Sequence, residues 1–207
     1  LRKGYVRDEI FDQEGRYRHP DSGVEVDVHW GFAPRYFHLP VVAEELFARA
    51  RPESLLGQPV TTFSAEDLLE ILCVQVMKDS WERRQQLEHV SKVCDIAEHL
   101  RAEPRLDWSR VFQSARRQGL ERIVHCGIIL ARELLGAQLP PEVVSRIEAD
   151  FGARNCARRM CRSLFTEADS LSPLTNPHFA VGLRFRQLAF YLGMRERQRD
   201  RLRHLGE

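Results

Sequence analysis

The chain has no apolar stretch near the ~18 residues that a membrane span requires. Its first residues, LRKGYVRDE, lack the apolar centre of a secretory leader. Charge of one sign is also missing: 31 Lys and Arg against 30 Asp and Glu leave a net +1, which removes any global case for nucleic acid or an acidic membrane. Cysteines are few, five in all, at 73, 94, 126, 156 and 161. An odd number scattered through apolar segments argues against a disulfide framework and for a reducing compartment, so the expected location is the cytoplasm. Cys156 and Cys161 are too far apart for a CxxC clip and have no second pair, so structural zinc is not expected. No P-loop, dinucleotide fingerprint, HExxH or nucleophile elbow occurs. No internal repeat stands out. What remains is an ordinary globular composition, 43% hydrophobic and 29% charged over 207 residues, enough for one large domain or two small ones.

The most regular pattern is GVEVDVHWGF, residues 23–32. Successive strand side chains point to opposite faces, so Val24, Val26, Val28 and Trp30 share one face and Glu25, Asp27 and His29 the other. The apolar row suits a core. The polar row is either solvent-facing surface or a carboxylate held at an active site. Before it, DQEGR and HPDSG are turn-forming clusters, so residues 1–40 read as antiparallel strands and turns.

From residue 41 the period becomes helical. Val41, Val42, Leu46 and Phe47 predict a short amphipathic helix, and RPESLLGQPV a linker or hairpin. FSAEDLLEILCVQVMKD predicts a helix capped by Ser64, with Asp67 in the place of a capping-box Glu. Its expected buried stripe is Leu68, Leu69, Leu72, Cys73 and Val76. A long helix through LEHVSKVCDIAEHL is followed by one that Asp107 caps and Gly119 ends, an apolar one closing on Gly136, and one starting at the prolines of LPPEVV. Beyond Ala153 the chain is helical, Arg-rich and interrupted by SLSPLTNPH. The expected class is α+β, mainly α with a small antiparallel β portion. The expected division is strands over 1–40 and a helical domain over 41–207.

The ordered set of motifs, from GVEVDVHWGF through LLGQPVTTFSAEDLLEILCVQVMKDSW, VCDIAEHL and LDWSRVFQSARRQGL to LLGAQLP, resembles the uncharacterised nucleotidyltransferase family of the polymerase-β-like superfamily. The likeness runs from Gly4 to about Pro140. It implies that residues 1–40 are the C-terminal strands of a nucleotidyltransferase-like α/β domain, the remnant of its sheet, followed by a helical bundle. It further implies transfer of a nucleoside monophosphate from an NTP to an acceptor hydroxyl, with Mg²⁺ held by three carboxylates. Two of these come from a DxD motif, which the resemblance places ahead of Leu1. The opening LRKGY reads as the end of a helix and its Gly cap, and the chain is expected to be a piece of something longer and inactive by itself.

By the resemblance, Asp27 is the third carboxylate, a hard oxygen ligand fixed on a strand. Glu25 and His29 share its face and would orient it, contact substrate or meet only water. Trp30 is expected in the core. Lys78, in QVMKDSW, would neutralise the triphosphate. Gln75 and Asp79 stand where the family carries histidines, so no histidine-dependent role passes to this chain. Asp95 is expected to be partly buried and paired with Lys78 or Arg84, an expectation that a fully functional Asp95→Asn variant would end. The arginines of ARRMCRS and RERQRDRLRHL form basic stripes, expected as solvated helical faces although they could guide RNA or a phosphorylated partner. The alternative to an enzyme is a non-catalytic module of the same fold that recognises a protein or RNA.

Overall fold

A computed structural model describes residues 4–10, 14–32, 43–79, 86–165, 189–190 and 192–194. Three short strands come first: β1 (Val6–Ile10), β2 (Glu14–Arg18) and β3 (Glu25–His29) form one antiparallel sheet in the order β1-β2-β3. The turn between β2 and β3 passes through Gly23 at φ 68°, a left-handed conformation that glycine adopts without steric cost. Val28 faces Gly15 and Asp27 faces Arg16, so the register keeps the two rows of β3 on separate faces.

The short helix α1 (Ala43–Ala48) leads to β4 (Arg51–Leu55) and β5 (Gln58–Thr62), a two-stranded hairpin at the place where the sequence left linker and hairpin open. Six helices follow: α2 (Ala65–Asp79), α3 (Gln86–Ala102), α4 (Trp108–Gln118), α5 (Glu121–Leu135), α6 (Pro141–Ala149) and α7 (Phe151–Phe165). The fold is α+β and mainly helical, as the periodicities predict. The expected boundary at residue 40 falls among residues 33–42, outside the described residues, as do SLSPLTNPH and RERQRDRLRHL.

The helix ends follow local chemistry. Ser64 Oγ accepts from the Asp67 backbone N–H at 3.2 Å, and Asp107 Oδ1 accepts from the Arg110 N–H at 3.0 Å, so each side chain satisfies a donor that has no carbonyl partner in the first turn. Gly119 and Gly136 close α4 and α5 in the left-handed region, at φ 70° and 68°. Pro141 opens α6 where its missing N–H costs nothing.

The core forms around α5. Every residue from Ile123 to Ala131 is buried, because α2, α3, α4, α6 and α7 all pack against this helix. Gly127 permits the closest of these approaches. A Cβ there would lie 2.6 Å from Cys73 Sγ of α2 and 3.2 Å from Ile96 Cδ1 of α3. His125 Nδ1 meets Asp150 Oδ2 at 3.0 Å and joins α5 to the α6–α7 junction. Burial alone would raise the Asp150 carboxyl, but the His125 hydrogen bond, the Ala153 N–H and the Arg122 charge hold it down at about 2. All five cysteines are free.

Three expectations need correction. The valine face of β3 is not core: Val24, Val26 and Val28 are 48%, 40% and 44% exposed, and Trp30 is 52% exposed. No described helix packs across that face, and Trp30 instead lies over Gly15 of the neighbouring strand, filling the space a side chain would take. The buried stripe of α2 is rotated. Leu68 and Leu72 are half-buried, while Glu70, Val74 and Met77 join Leu69, Cys73 and Val76 in the interior, because α4 and α5 cover α2 from a second side. Asp95 is exposed, since the inward face of α3 is Val93, Ile96 and Leu100 and position 95 turns away from it.

The Gly127 contact gives a direct test of the core. Gly127→Ala places a methyl group against Cys73 and costs about 1–3 kcal/mol, read as a lowered thermal or urea midpoint. An unchanged midpoint would mean that α2 and α5 are not this close.

Candidate functional site

The charged face of the small sheet carries three of the residues that the sequence singles out. Asp27 Oδ1 accepts from Arg16 Nε at 3.3 Å, and Arg16 Nη1 reaches Glu9 Oε2 at 3.4 Å. Glu25 bonds Arg18, whose Nε lies 3.9 Å from Asp8 Oδ2. His29 Nδ1 meets Glu14 Oε2 at 3.0 Å. Acid and base therefore alternate across all three strands, and each sequence-predicted residue on β3 has a partner of opposite kind on β2. The Asp27 carboxylate is 51% exposed, so solvent and an incoming ligand both reach it. Exposed pairs of this sort each contribute about 0–1 kcal/mol, little enough for a polyphosphate or a cation to displace them.

Lys78 lies elsewhere in sequence but not far from the strand exit. It is half-buried in the last turn of α2, where a cation meets the negative end of the helix. One turn earlier, Gln75 Nε2 donates to the carbonyl oxygen of Phe32 at 2.9 Å, just past the end of β3. Phe32 also packs edge-on against Phe63, with ring centroids 5.7 Å apart. Gln75 thus fastens the strand exit to α2. Asp95 is not brought to this region, and among the described residues no ion pair joins it to Lys78. Arg84 lies outside the described residues.

A second polar cluster, at the start of α2, escapes the sequence reading except for Ser64 and Asp67. Asp67 is 4% exposed and receives both Arg49 Nε at 2.9 Å and Arg49 Nη2 at 3.0 Å. Ser64 Oγ donates to Asp67 Oδ2 at 2.7 Å, and Arg110 Nη2 of α4 reaches the same oxygen at 3.5 Å. The carboxylate thus holds the Ser64 cap in place and ties α4 and the residue that follows α1 to the helix. One turn on, Glu70 is buried beside Gln118 and Ser114 of α4. Its spacing to Cys73, Val74 and Met77 at three, four and seven residues marks it as inward-facing, a signal that was legible in the sequence.

A divalent metal with two or three carboxylate ligands would need hard oxygens brought together on this face. Asp27 offers one hard oxygen, but its nearest partner is a guanidinium. Among the described residues no group of three His, Cys, Asp or Glu side chains is placed to hold a metal ion. These residues do not by themselves fit a metal pair.

Fold and site together describe an α+β protein in which a short, solvent-facing charged sheet leads into a helical bundle. The family model for uncharacterised nucleotidyltransferases matches residues 1–136, and the chain belongs to that family. The match ends at the Gly136 cap of α5. No curated protein and no solved structure matches the chain. Among the described residues, no helix is long and apolar enough to cross a membrane.

The Asp67 cluster sets the local stability of the bundle entry. Asp67→Ala leaves Arg49 and Arg110 facing a buried gap and lowers unfolding free energy by about 3 kcal/mol. Ser64→Ala, which removes the cap alone, costs about 1 kcal/mol. Equal costs in urea titration would show that the guanidinium contacts add nothing.

Proposed function

We propose that this protein transfers a nucleoside monophosphate from an NTP to an acceptor hydroxyl, with Asp27 at the reacting phosphate and Lys78 on the triphosphate. The observation that carries the reading is the family match across the strand bearing Asp27 and the helix bearing Lys78. The geometry supports it in two ways. Asp27 is accessible on a face where Arg16 and Arg18 also lie, so one surface offers both an acidic oxygen and guanidinium donors suited to phosphate. The Gln75–Phe32 bond holds the end of that strand one turn from Lys78. Mg²⁺ belongs to this reading by family. When bound in such enzymes it neutralises phosphate charge and activates the attacking hydroxyl. Glu25 and His29 support the face by fixing Arg18 and Glu14. The expected strand domain over 1–40 and helical domain over 41–207 form part of the same proposal, with the strands carrying the acid and the helices the phosphate contact.

The second reading is a binding module of the same fold that recognises RNA or a protein without transferring anything. What favours it is the Asp27–Arg16 pair, in which the proposed metal ligand is already neutralised by a cation.

One experiment separates the two. The full-length protein, including the segment expected to carry the DxD motif, is incubated with labelled NTP, Mg²⁺ and a mixture of candidate acceptors. On the enzymatic reading the label is transferred, Asp27→Ala abolishes transfer with circular dichroism unchanged, and Lys78→Ala raises KM for the NTP roughly tenfold through loss of one charge-assisted contact. Full transfer by a folded Asp27→Ala variant removes the role assigned to that residue.

A further inference from the structure

Glu70 takes no part in the activity proposed above, yet its setting is chemically unusual. The residue is 5% exposed on α2. Its Oε2 accepts from Gln118 Nε2 of α4 at 2.8 Å, and the same amide nitrogen donates to Ser114 Oγ at 2.8 Å. The two remaining oxygens, Glu70 Oε1 and Gln118 Oε1, are both buried and without a hydrogen-bond partner among the described residues. An ionised carboxylate and an amide oxygen are both acceptors and cannot satisfy one another. Beside them is a cavity of about 20 Å³, lined by Phe32, Leu46, Ile71, Val74 and Leu120 as well as Asp67, Glu70 and Gln118.

One proton resolves the conflict. On Oε1 it makes the carboxyl a donor toward the amide oxygen, while the amide nitrogen donates back to Oε2, so acid and amide complete each other. We propose that Glu70 is a neutral acid at mildly acidic pH and that its pair with Gln118 is a proton-operated latch joining α2 to α4 beneath Phe32. When the group ionises, the Oε1 side of the latch is lost, while the Gln118 amide nitrogen still donates to Oε2. The cavity has room for about one water, which would then serve the two oxygens.

The groups facing Glu70 come from several elements. Asp67 and Cys73 lie on its own helix, Arg49 follows α1, and Ser114, Gln118 and, farther off, Arg110 come from α4. Phe32, Leu46 and Leu120 add only apolar surface. Burial raises the carboxyl to about 7 with help from the Asp67 charge, against the opposing pull of Ser114, Arg49 and Gln118. A folded value above the unfolded value of about 4.3 means that the folded chain holds the extra proton. The latch's contribution is therefore whole below about pH 4 and lost as pH rises through 7.

The test compares wild type with Glu70→Gln, whose amide keeps the shape and can donate to Gln118 without titrating. Urea unfolding of the whole chain is followed from about pH 5 to about pH 8. Relative to the variant, the wild-type unfolding constant should rise about tenfold per pH unit between about 5 and 7 and then level off. Amide exchange over Ser114–Gln118, corrected for its intrinsic pH dependence, should quicken across the same range in wild type alone. Parallel profiles for the two proteins would overturn the proposal. So would a ¹³C carboxyl titration of Glu70 with its midpoint in the ordinary range of about 4–5, a measurement that needs no variant to fold.

Discussion

The structure depends on one helix being buried on every side. From Ile123 to Ala131, α5 buries each successive residue, and a helix of that kind has no stable place except inside other helices. Five helices supply the enclosure. Gly127 lets α2 come close enough for Cys73 to touch the α5 backbone surface, and the His125–Asp150 pair fixes the other side against α6 and α7. The family match stops at Gly136, yet α7 packs on α5 as fully as any element before it. The family portion of the chain therefore relies, for the closure of its core, on helices beyond the match.

The strands are organised differently. Both faces of the β1–β3 sheet are largely exposed, and its cohesion comes from the hydrogen-bond ladder and the alternating ion pairs Arg16–Asp27, Arg18–Glu25 and His29–Glu14. Such pairs hold a register more than they stabilise a fold. Among the described residues, Phe32 joins the sheet to the bundle through the Gln75 amide and the Phe63 ring.

Much of this was legible in the residues. Period-two alternation located β3, proline and glycine marked the limits of α4, α5 and α6, and Ser64 and Asp107 announced the starts of their helices. The failures have physical causes. Alternation states which residues share a face, not whether anything covers that face, so Val24 to Trp30 were assigned to a core that the described helices do not provide. A single apolar stripe was drawn along α2, although packing by α4 and α5 buries two of its sides and takes Glu70 inward. Asp95 was judged by its apolar neighbours Cys94 and Ile96, when the 3.6-residue turn carries it to the opposite side. Arg49 and Gln118 reach their partners from 18 and 48 residues away, and no local pattern reports such distances.

The central claim is that stability resides around α5 while the charged sheet is a separately held element fastened at Phe32. Native-state hydrogen exchange measures this most directly. Amides of α5 should exchange only through global unfolding, and those of β2 and β3 through a local opening of clearly lower free energy. Gln75→Ala should lower the second value further and leave the first nearly unchanged. A single opening free energy shared by the sheet and α5 would contradict the account.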